Sequence, residues 1–150
     1  MPVTRKSRFD ELLRAMSALE RREVRVGWRD PEAAEIAYIN DRGGNRGNNP
    51  PPRPVLGPAV AAVADEVRRG QVAVAVAAMK GQSTDAPMEA LGALVEEAVR
   101  QEIRTVQPAN APSTIARKGF NAPLRGADQD RIWEHLEHWV DDPLSGITRG

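Results

Sequence analysis

The sequence predicts an α/β fold of the α+β kind, in which a small, mostly antiparallel sheet is flanked by helices. Three observations point to this class. Apolar residues recur at helical spacing in residues 7–22 and, most clearly, in residues 86–106. Residues 24–28 alternate apolar and polar side chains and contain β-branched residues, as half-buried strands do. A long Gly- and Pro-rich loop at about residues 41–54 then interrupts the regular structure.

Length and composition predict one structural domain over residues 1–150. A chain of 150 residues has the size of a single ordinary domain. Aromatic residues make up only 4% of it, so we expect an aliphatic core. A core of Ala and Val removes less apolar area from water per residue than one of Leu and Phe. Such a subunit gains stability when copies of it associate.

The balance between basic and acidic residues argues against a dedicated nucleic-acid-binding protein. The chain has 21 basic and 21 acidic residues, whereas a dedicated nucleic-acid binder usually carries a basic excess. A net charge of zero also lowers the repulsion between copies. The chain has no cysteine, which excludes disulfides and thiolate metal sites. Because it has neither an apolar leader nor an apolar run of membrane-spanning length, we expect a soluble protein made in a cytoplasm, with no membrane partner.

The first elements are a helix and a strand. The apolar stripe of the helix at 7–22 begins at Phe9, and Ser7 is its expected N-cap, with Asp10 three residues later. The strand at 24–28 follows. Residues 35–40 mix helix-favouring alanines with strand-favouring Ile and Tyr, and they favour a helical turn followed by a second strand.

Residues 41–54 predict a flexible loop that ends in a stiff, extended arm, because glycines supply freedom and consecutive prolines hold polyproline II geometry. Such loops often project from the scaffold and carry function. Arg42, Arg46 and Arg53 lie in this loop, and guanidinium groups suit phosphates or the carboxylates of a partner subunit. The alternative is that these arginines only keep the loop solvated.

The second half of the chain is predicted to be mainly helical. A helix is expected from Gly57-Pro58 through about Lys80, followed by a turn in which Ser83, Thr84 or Asp85 caps the helix at 86–106.

Three further segments complete the chain. Residues 107–126 are expected to be irregular because of their prolines and glycines. Residues 132–140 carry apolar side chains at helical spacing and predict a final helix before Pro143. Residues 144–150 are expected to form a loose tail.

The histidines do not predict a metal site. His135 and His138 lie three residues apart on the predicted final helix, and such a pair with a carboxylate can hold a metal ion. No third ligand follows at a recognisable spacing. A solvated polar face opposite the tryptophans is the favoured interpretation.

Two other patterns fall short of a catalytic or cofactor site. Gly43-Gly44 with Gly47 lacks the Lys-Ser/Thr ending of a phosphate-binding loop. Ser113-Thr114 with Lys118 contains the residues of a Ser–Lys nucleophile, but the flanking prolines favour a capped turn. We therefore expect no enzyme activity, no cofactor and no metal.

A series of short motifs runs through the middle of the chain. They are Val26-Gly27-Trp28, Ala37-Tyr38-Ile39-Asn40-Asp41-x-Gly43-Gly44, Pro51-Pro52-Arg53-Pro54-Val55-Leu56, Ala90-Leu91-Gly92, Asn110-x-Pro112-Ser113-Thr114-Ile115-x-x-Lys118-Gly119 and Pro123-Leu124. In order and spacing this series resembles bacteriophage virion-morphogenesis proteins, which are variously called minor tail, tail-completion or neck proteins. After Leu124 that family has an Asp-Thr-Gly-x-Leu turn and a closing strand, whereas this chain continues into the predicted final helix.

The resemblance implies a structural protein that forms a ring, typically a homohexamer, at the head–tail junction or the tail end of a virion. Such a ring caps or joins the tail and leaves a channel for DNA. Its expected partners are further copies of itself, tail-tube, neck or connector proteins, and genomic DNA in non-specific contact. We expect it in the virion, assembled in the host bacterial cytoplasm.

The residues that this interpretation singles out form two sets. The candidates for a subunit interface or the DNA channel are Arg42, Arg46, Pro52, Arg53 and Pro54. The motif residues are Gly27, Trp28, Asn40, Gly43, Asn110, Pro112, Ser113, Thr114 and Lys118.

Other functions stay open at this point. Within the same particle, the chain can be a head-side connector or a decoration protein. A small regulatory nucleic-acid-binding protein with an arginine arm would bind DNA in a steeply salt-dependent way, as a monomer or dimer. A hydrolase or a metal-dependent enzyme that uses this region would lose its activity when His135 and His138 are both replaced.

Overall fold

The computed structural model of the chain describes residues 7–43, 51–106, 109–119, 123–125 and 130–141. In these ranges seven helices accompany a two-stranded antiparallel sheet, which confirms the predicted α+β class. The elements in chain order are α1 (Arg8–Leu19), β1 (Glu23–Trp28), α2 (Pro31–Arg42), α3 (Leu56–Ala62), α4 (Ala64–Met79), α5 (Asp85–Thr105), α6 (Pro112–Lys118), α7 (Asp130–Glu134) and β2 (Leu136–Asp141). Residues 44–50 of the predicted loop and the whole of the predicted tail lie outside the described residues.

The sheet pairs an early strand with a late one. β1 runs antiparallel to β2, with Glu23 opposite Asp141 and Trp28 opposite Leu136. Helix α5 packs on both strands and covers one face of the sheet. The side chains on the other face are mainly charged, and Arg29 forms a two-pronged ion pair there, with N–O distances to Glu137 of 2.6 and 2.9 Å.

The core lies between α5, the N-terminal end of α3 and the segments that precede β2. Its largest fully buried side chains are Val99, Ile103, Leu124 and Ile132, and the partly buried Trp28 and Trp133 pack against them. The core is therefore mainly aliphatic, as the composition predicts.

The first helix begins where the sequence predicts. Ser7 accepts a hydrogen bond from the Asp10 backbone N–H at 3.1 Å, and Asp10 accepts one from the Ser7 N–H at 3.3 Å, which completes a capping box. Helix α1 packs on α4, yet none of its residues is buried.

The prediction of a strand within residues 35–40 is wrong, because these residues belong to helix α2. Asp30 caps this helix by accepting from the Ala33 N–H at 2.8 Å, and Pro31 occupies its first turn. The N-cap and the proline in the first turn favour a helix more strongly than the Ile and Tyr residues favour a strand. The helix ends at Gly43, whose φ of 76° is a conformation that glycine adopts readily.

The prediction of a final helix over residues 132–140 is also wrong beyond Glu134. Helix α7 stops there, and strand β2 follows. The spacing of the apolar residues in this segment is compatible with a strand as well as with a helix. The strand forms because it pairs with β1 along the whole length of β1. The chain thus has a closing strand after Leu124.

Two other boundaries differ from the predictions. The segment at 107–126, predicted to be irregular, contains α6, which starts with Pro112 and ends at Gly119 in a left-handed conformation. The long helix predicted from Gly57 is divided into α3 and α4 at Val63. The helix predicted at 86–106 is confirmed as α5.

None of the helices in the described part of the chain has the length and apolar character needed to cross a membrane.

Candidate functional site

Motif segments that are distant in the sequence meet around one groove of about 480 Å³. The groove, called here the motif groove, lies between α2, the start of α3 and the segments around Leu124 and Ile132. Its walls contain the motif residues Trp28, Tyr38, Asn40, Asp41, Pro54, Val55, Leu56 and Leu124. Four of the six motifs therefore contribute residues to one groove, whereas those at residues 90–92 and 110–119 lie elsewhere.

Asn40 holds two walls of this groove together. Its Nδ2 donates to the Ile36 carbonyl at 2.8 Å, and its own backbone carbonyl accepts from the Arg53 N–H at 2.7 Å. The side chain is buried, with 5% exposure. The backbone hydrogen bond attaches the proline-rich segment to the end of α2. The side-chain hydrogen bond gives the buried amide a partner, without which its burial would be costly.

The interface candidates of residues 41–54 have different surroundings. Arg53 is only 8% exposed, and burial lowers the pKa of its guanidinium, so this arginine does not project from the fold. Pro52 and Pro54 are exposed on either side of it. Arg42 is exposed and lies over the Tyr38 ring at 4.8 Å. Arg46 lies outside the described residues.

The motif of α6 serves mainly to form that helix and to attach it. Pro112 opens α6, Ser113 and Thr114 lie in its first turn, and the Thr114 N–H donates to the Ala111 carbonyl at 2.9 Å. Lys118, in the last turn, donates from Nζ to the Arg125 carbonyl at 2.7 Å.

Burial lowers the pKa of Lys118, and the positive charges of Arg117 and Arg53 lower it further. Arg117 and Arg53 therefore lie close enough to Lys118 to affect its charge. Asn110, just before α6, is buried.

The remaining motif residues also support the fold. The Nε1 of Trp28 donates to the Ile132 carbonyl at 2.7 Å and joins β1 to α7, while Gly27 is buried in β1. Among the described residues, the buried polar side chains are Asn40, Arg53 and Asn110, and all three belong to the motifs. The motif residues thus mark polar contacts inside the fold more than a surface site.

His138 is part of a hydrogen-bonded cluster that the sequence did not reveal. Its Nδ1 lies 2.5 Å from a carboxylate oxygen of Glu96, and its Nε2 lies 2.9 Å from one of Glu89, both on α5. The hydrogen bond to Glu96 raises the pKa of His138, against the effect of burial, and Glu89 adds to the rise. This cluster fastens β2 to α5.

Glu96 receives a second cation. Burial favours its neutral form, but hydrogen bonds from His138 and Arg100 outweigh burial and hold the pKa of Glu96 below its ordinary value. His135 is exposed in the turn before β2, so the two histidines do not share a helix face as expected. No three His, Asp or Glu side chains in the described ranges are arranged to hold a metal ion.

A second cluster surrounds Trp133. Arg100 donates to the backbone carbonyls of Trp133 at 2.8 Å and Leu136 at 2.9 Å, which ties α5 to the end of α7 and the start of β2. The guanidinium carbons of Arg100, Arg104 and Arg125 lie 5.1, 4.6 and 4.4 Å from the centre of the Trp133 ring. No sequence pattern predicts this cluster, because its members come from separate segments.

Two apolar surfaces are exposed on different parts of the molecule. The α1–α4 surface consists of Phe9, Leu13, Met16, Val72, Val76 and Met79. The α2 surface consists of Tyr38 and Ile39, of which Tyr38 also lines the motif groove. Because α1 packs on α4 whereas α2 packs on β1 and α7, the two surfaces belong to separate layers of the fold.

Comparisons with known proteins add no independent evidence of function. No family model, no curated protein and no solved structure shows significant similarity to this chain. The function is therefore argued from the geometry above and from the motifs quoted from the sequence.

Proposed function

We propose that this chain is a structural subunit of a bacteriophage virion that assembles into a ring at the head–tail junction or the tail end, as a tail-terminator, tail-completion or neck protein. The observation that carries the proposal is the α1–α4 surface. On it Phe9 is 64% exposed, Met16 53%, Val72 61% and Met79 63%. Burying a side chain of this kind contributes roughly 1.5–3 kcal/mol. Phe9 and Met79 line one pocket where α1 meets α4, and exposed apolar patches mark interaction sites.

A second copy of the chain is the occupant that the α1–α4 surface fits best. The net charge of zero leaves little repulsion between copies. A ring needs two different, complementary patches on each subunit, because its contacts are heterologous. The α1–α4 surface and the α2 surface are two such patches, and we assign the contact to the α1–α4 surface of one copy and the α2 surface of the next.

The phage assignment is supported by the motifs and by the strand order. Four of the six motifs that resemble virion-morphogenesis proteins contribute residues to the motif groove, next to the α2 surface. Strand β2 follows Leu124, where that family has its closing strand. The partners proposed for the ring are tail-tube, neck or connector proteins, and its location is the virion. A head-side connector or a decoration protein is the nearest alternative within the same particle.

Mixing two charged variants tests the proposed contact. Met79→Glu should block the α1–α4 surface and Tyr38→Glu the α2 surface, so each variant alone should sediment as a monomer. An equimolar mixture retains one intact surface of each kind and should form a dimer. Gln101→Glu, which adds the same charge at an exposed position of α5, is the matched control and should leave assembly unchanged. A mixture that stays monomeric, or normal assembly by Tyr38→Glu, would contradict this head-to-tail contact.

Electron microscopy tests the phage role separately. Removing the coding sequence from its phage or prophage should give tailless heads or tails of uncontrolled length. Complementation with the intact gene should restore normal particles, whereas the Met79→Glu variant should not. Normal infectious particles in the absence of the protein would refute the role.

A further inference from the structure

We infer that the arginines around Trp133 form a contact site for the phosphate groups of the DNA backbone. The site, called here the arginine cluster, consists of Arg100, Arg104 and Arg125 together with the indole of Trp133. The choice of DNA as the polyanion rests on the proposed function, because a ring on the tail axis encloses the path of the genome. The cluster itself is an observation that does not depend on that proposal.

The geometry concentrates positive charge at one place on a neutral protein. Three guanidinium carbons lie within 5.1 Å of the centre of a single indole ring. Guanidinium groups carry a full charge at every relevant pH and repel one another, so an arrangement of this density is favourable when an anion is close by.

The members of the arginine cluster divide into a fixed one and two accessible ones. Arg100 is about one-fifth exposed, and it is engaged by Glu96 and by two backbone carbonyls. The side chains of Arg104 and Arg125 are 47% and 34% exposed. Arg100 therefore positions the indole, and Arg104 and Arg125 have guanidinium surface for a ligand.

Each of the two accessible arginines has one carboxylate beside it, and the surplus of positive charge among the described neighbours comes from Lys118 and Arg117. Glu97 is 3.9 Å from Arg104, at the limit of an ion pair, and Asp130 accepts from Nε of Arg125 at 2.7 Å. Lys118 adds to the positive side, because its Nζ lies on the Arg125 carbonyl, and the neighbouring Arg117 is exposed.

Phosphate fits this site better than a nucleic-acid base does. A planar guanidinium presents donors that match two oxygens of a phosphate. Trp133 is half-buried and already lies against guanidinium groups, so its ring is not an open platform on which a base can stack. The predicted contact is therefore independent of sequence, as contacts to the phosphate backbone are.

The test measures the binding of the intact chain to a short DNA duplex of arbitrary sequence, by fluorescence anisotropy over a series of salt concentrations. Arg104→Gln and Arg125→Gln should each weaken binding several-fold at low salt. Each should also reduce the slope of log affinity against log salt by about 0.9, the effect of one lost phosphate contact. Arg104→Lys, which keeps the charge, should retain most of that slope.

Arg68→Gln is the matched control, because it removes one charge from an exposed arginine of α4 and should leave binding unchanged. Circular dichroism of each variant checks that it is folded. If Arg104→Gln and Arg125→Gln bind DNA as the unaltered chain does, the inference is wrong. Binding to polyglutamate but not to DNA would assign the cluster to an acidic protein and overturn the DNA contact.

The oligomeric state separates this inference from the proposed function. A chain that forms rings but shows no affinity for DNA at low salt refutes the arginine cluster as a DNA contact and leaves the ring intact. A monomer that binds DNA through Arg104 and Arg125 refutes the ring and retains the cluster.

Discussion

Two regions of the subunit, the one around α5 and the α1–α4 pair, differ in how completely they are packed. Around α5 and the strands, Val99 and Ile103 have no exposure, and polar groups such as His138 are held by named partners. In the α1–α4 pair, by contrast, α1 has no buried residue and α4 buries only Val74 and Ala78. The first region is complete within one subunit, whereas the second leaves large apolar side chains in water.

This difference indicates which region determines the stability of a single subunit and which determines the association of subunits. The α5 region should determine the free energy of unfolding of a single subunit. The α1–α4 surface should add little to that free energy until a second copy covers it, and should then dominate the free energy of association. Substitutions in the two regions should therefore change different measurements.

Ile103→Ala should have the largest effect on the isolated subunit. Ile103 is fully buried in the core, and a truncation of this kind costs about 2–5 kcal/mol of unfolding free energy. Urea unfolding at high dilution, where subunits are separate, measures the loss. Val72→Ala on the α1–α4 surface is the control and should change the same quantity by less than about 0.5 kcal/mol. Equal losses for the two variants would contradict the contrast between the regions.

His138→Gln should give the next largest effect, with a characteristic pH dependence. Near pH 6 the substitution removes charge-assisted hydrogen bonds worth about 1.5–3 kcal/mol. Since the pKa of His138 is raised in the folded state, its stabilisation is complete below the unfolded value of about 6.5 and declines as pH rises through the folded value.

Unfolding measured at about pH 5.5, pH 7 and pH 8.5 checks this sign. The difference between the two proteins should shrink as pH rises. The lowered pKa of Glu96 acts in the opposite direction and removes stability only in acid, as pH falls through its folded value. A difference that is constant from pH 5.5 to pH 8.5 would show that His138 is not charged in the folded protein.

Two glycines provide a smaller and closely matched comparison. A Cβ on Gly92 would lie 2.5 Å from the His138 ring, which two carboxylates hold in place. A Cβ on Gly70 would meet the mobile end of Leu91 at 2.8 Å, which can rotate away. Gly92→Ala should therefore lower the melting temperature, by an amount equivalent to about 1 kcal/mol. Gly70→Ala should be neutral or stabilising, because alanine favours helix. If Gly70→Ala lowered the melting temperature and Gly92→Ala did not, this comparison would be contradicted.

Ser7→Ala should have an effect on folding no larger than that of Gly92→Ala, and a visible one on assembly. The substitution removes the capping box of α1 and costs about 1 kcal/mol of helix stability. Because α1 supplies Phe9, Leu13 and Met16 to the α1–α4 surface, the dissociation constant between subunits should rise. Sedimentation measures it, and Ser17→Ala within α1 is the control. An unchanged dissociation constant would show that α1 lies outside the contact.

The sequence was sufficient for features that depend on local chemistry. The capping box at Ser7, the stripe of α5 and the aliphatic core all follow from residues that are close in the chain or from composition alone. Strand β1 is likewise visible from its alternation. These features form with little help from distant residues.

Features that depend on distant partners could not be predicted. The sequence predicts a helix where strand β2 lies, because only the pairing with β1 selects the extended form. Arg53 was expected in a projecting arm, but its backbone N–H bonds to Asn40 and its side chain is buried. The clusters at His138 and Trp133 each combine side chains from separate segments, for which no motif exists.

The mass of the native assembly decides whether the exposed apolar helices form an interface between copies. Sedimentation of the intact chain at micromolar concentration should show a closed ring, at about 98 kDa for six copies of the 16.4-kDa chain. The Met79→Glu variant should sediment as the single chain under the same conditions. A 16.4-kDa species for the unaltered protein at every concentration tested would contradict the proposed ring.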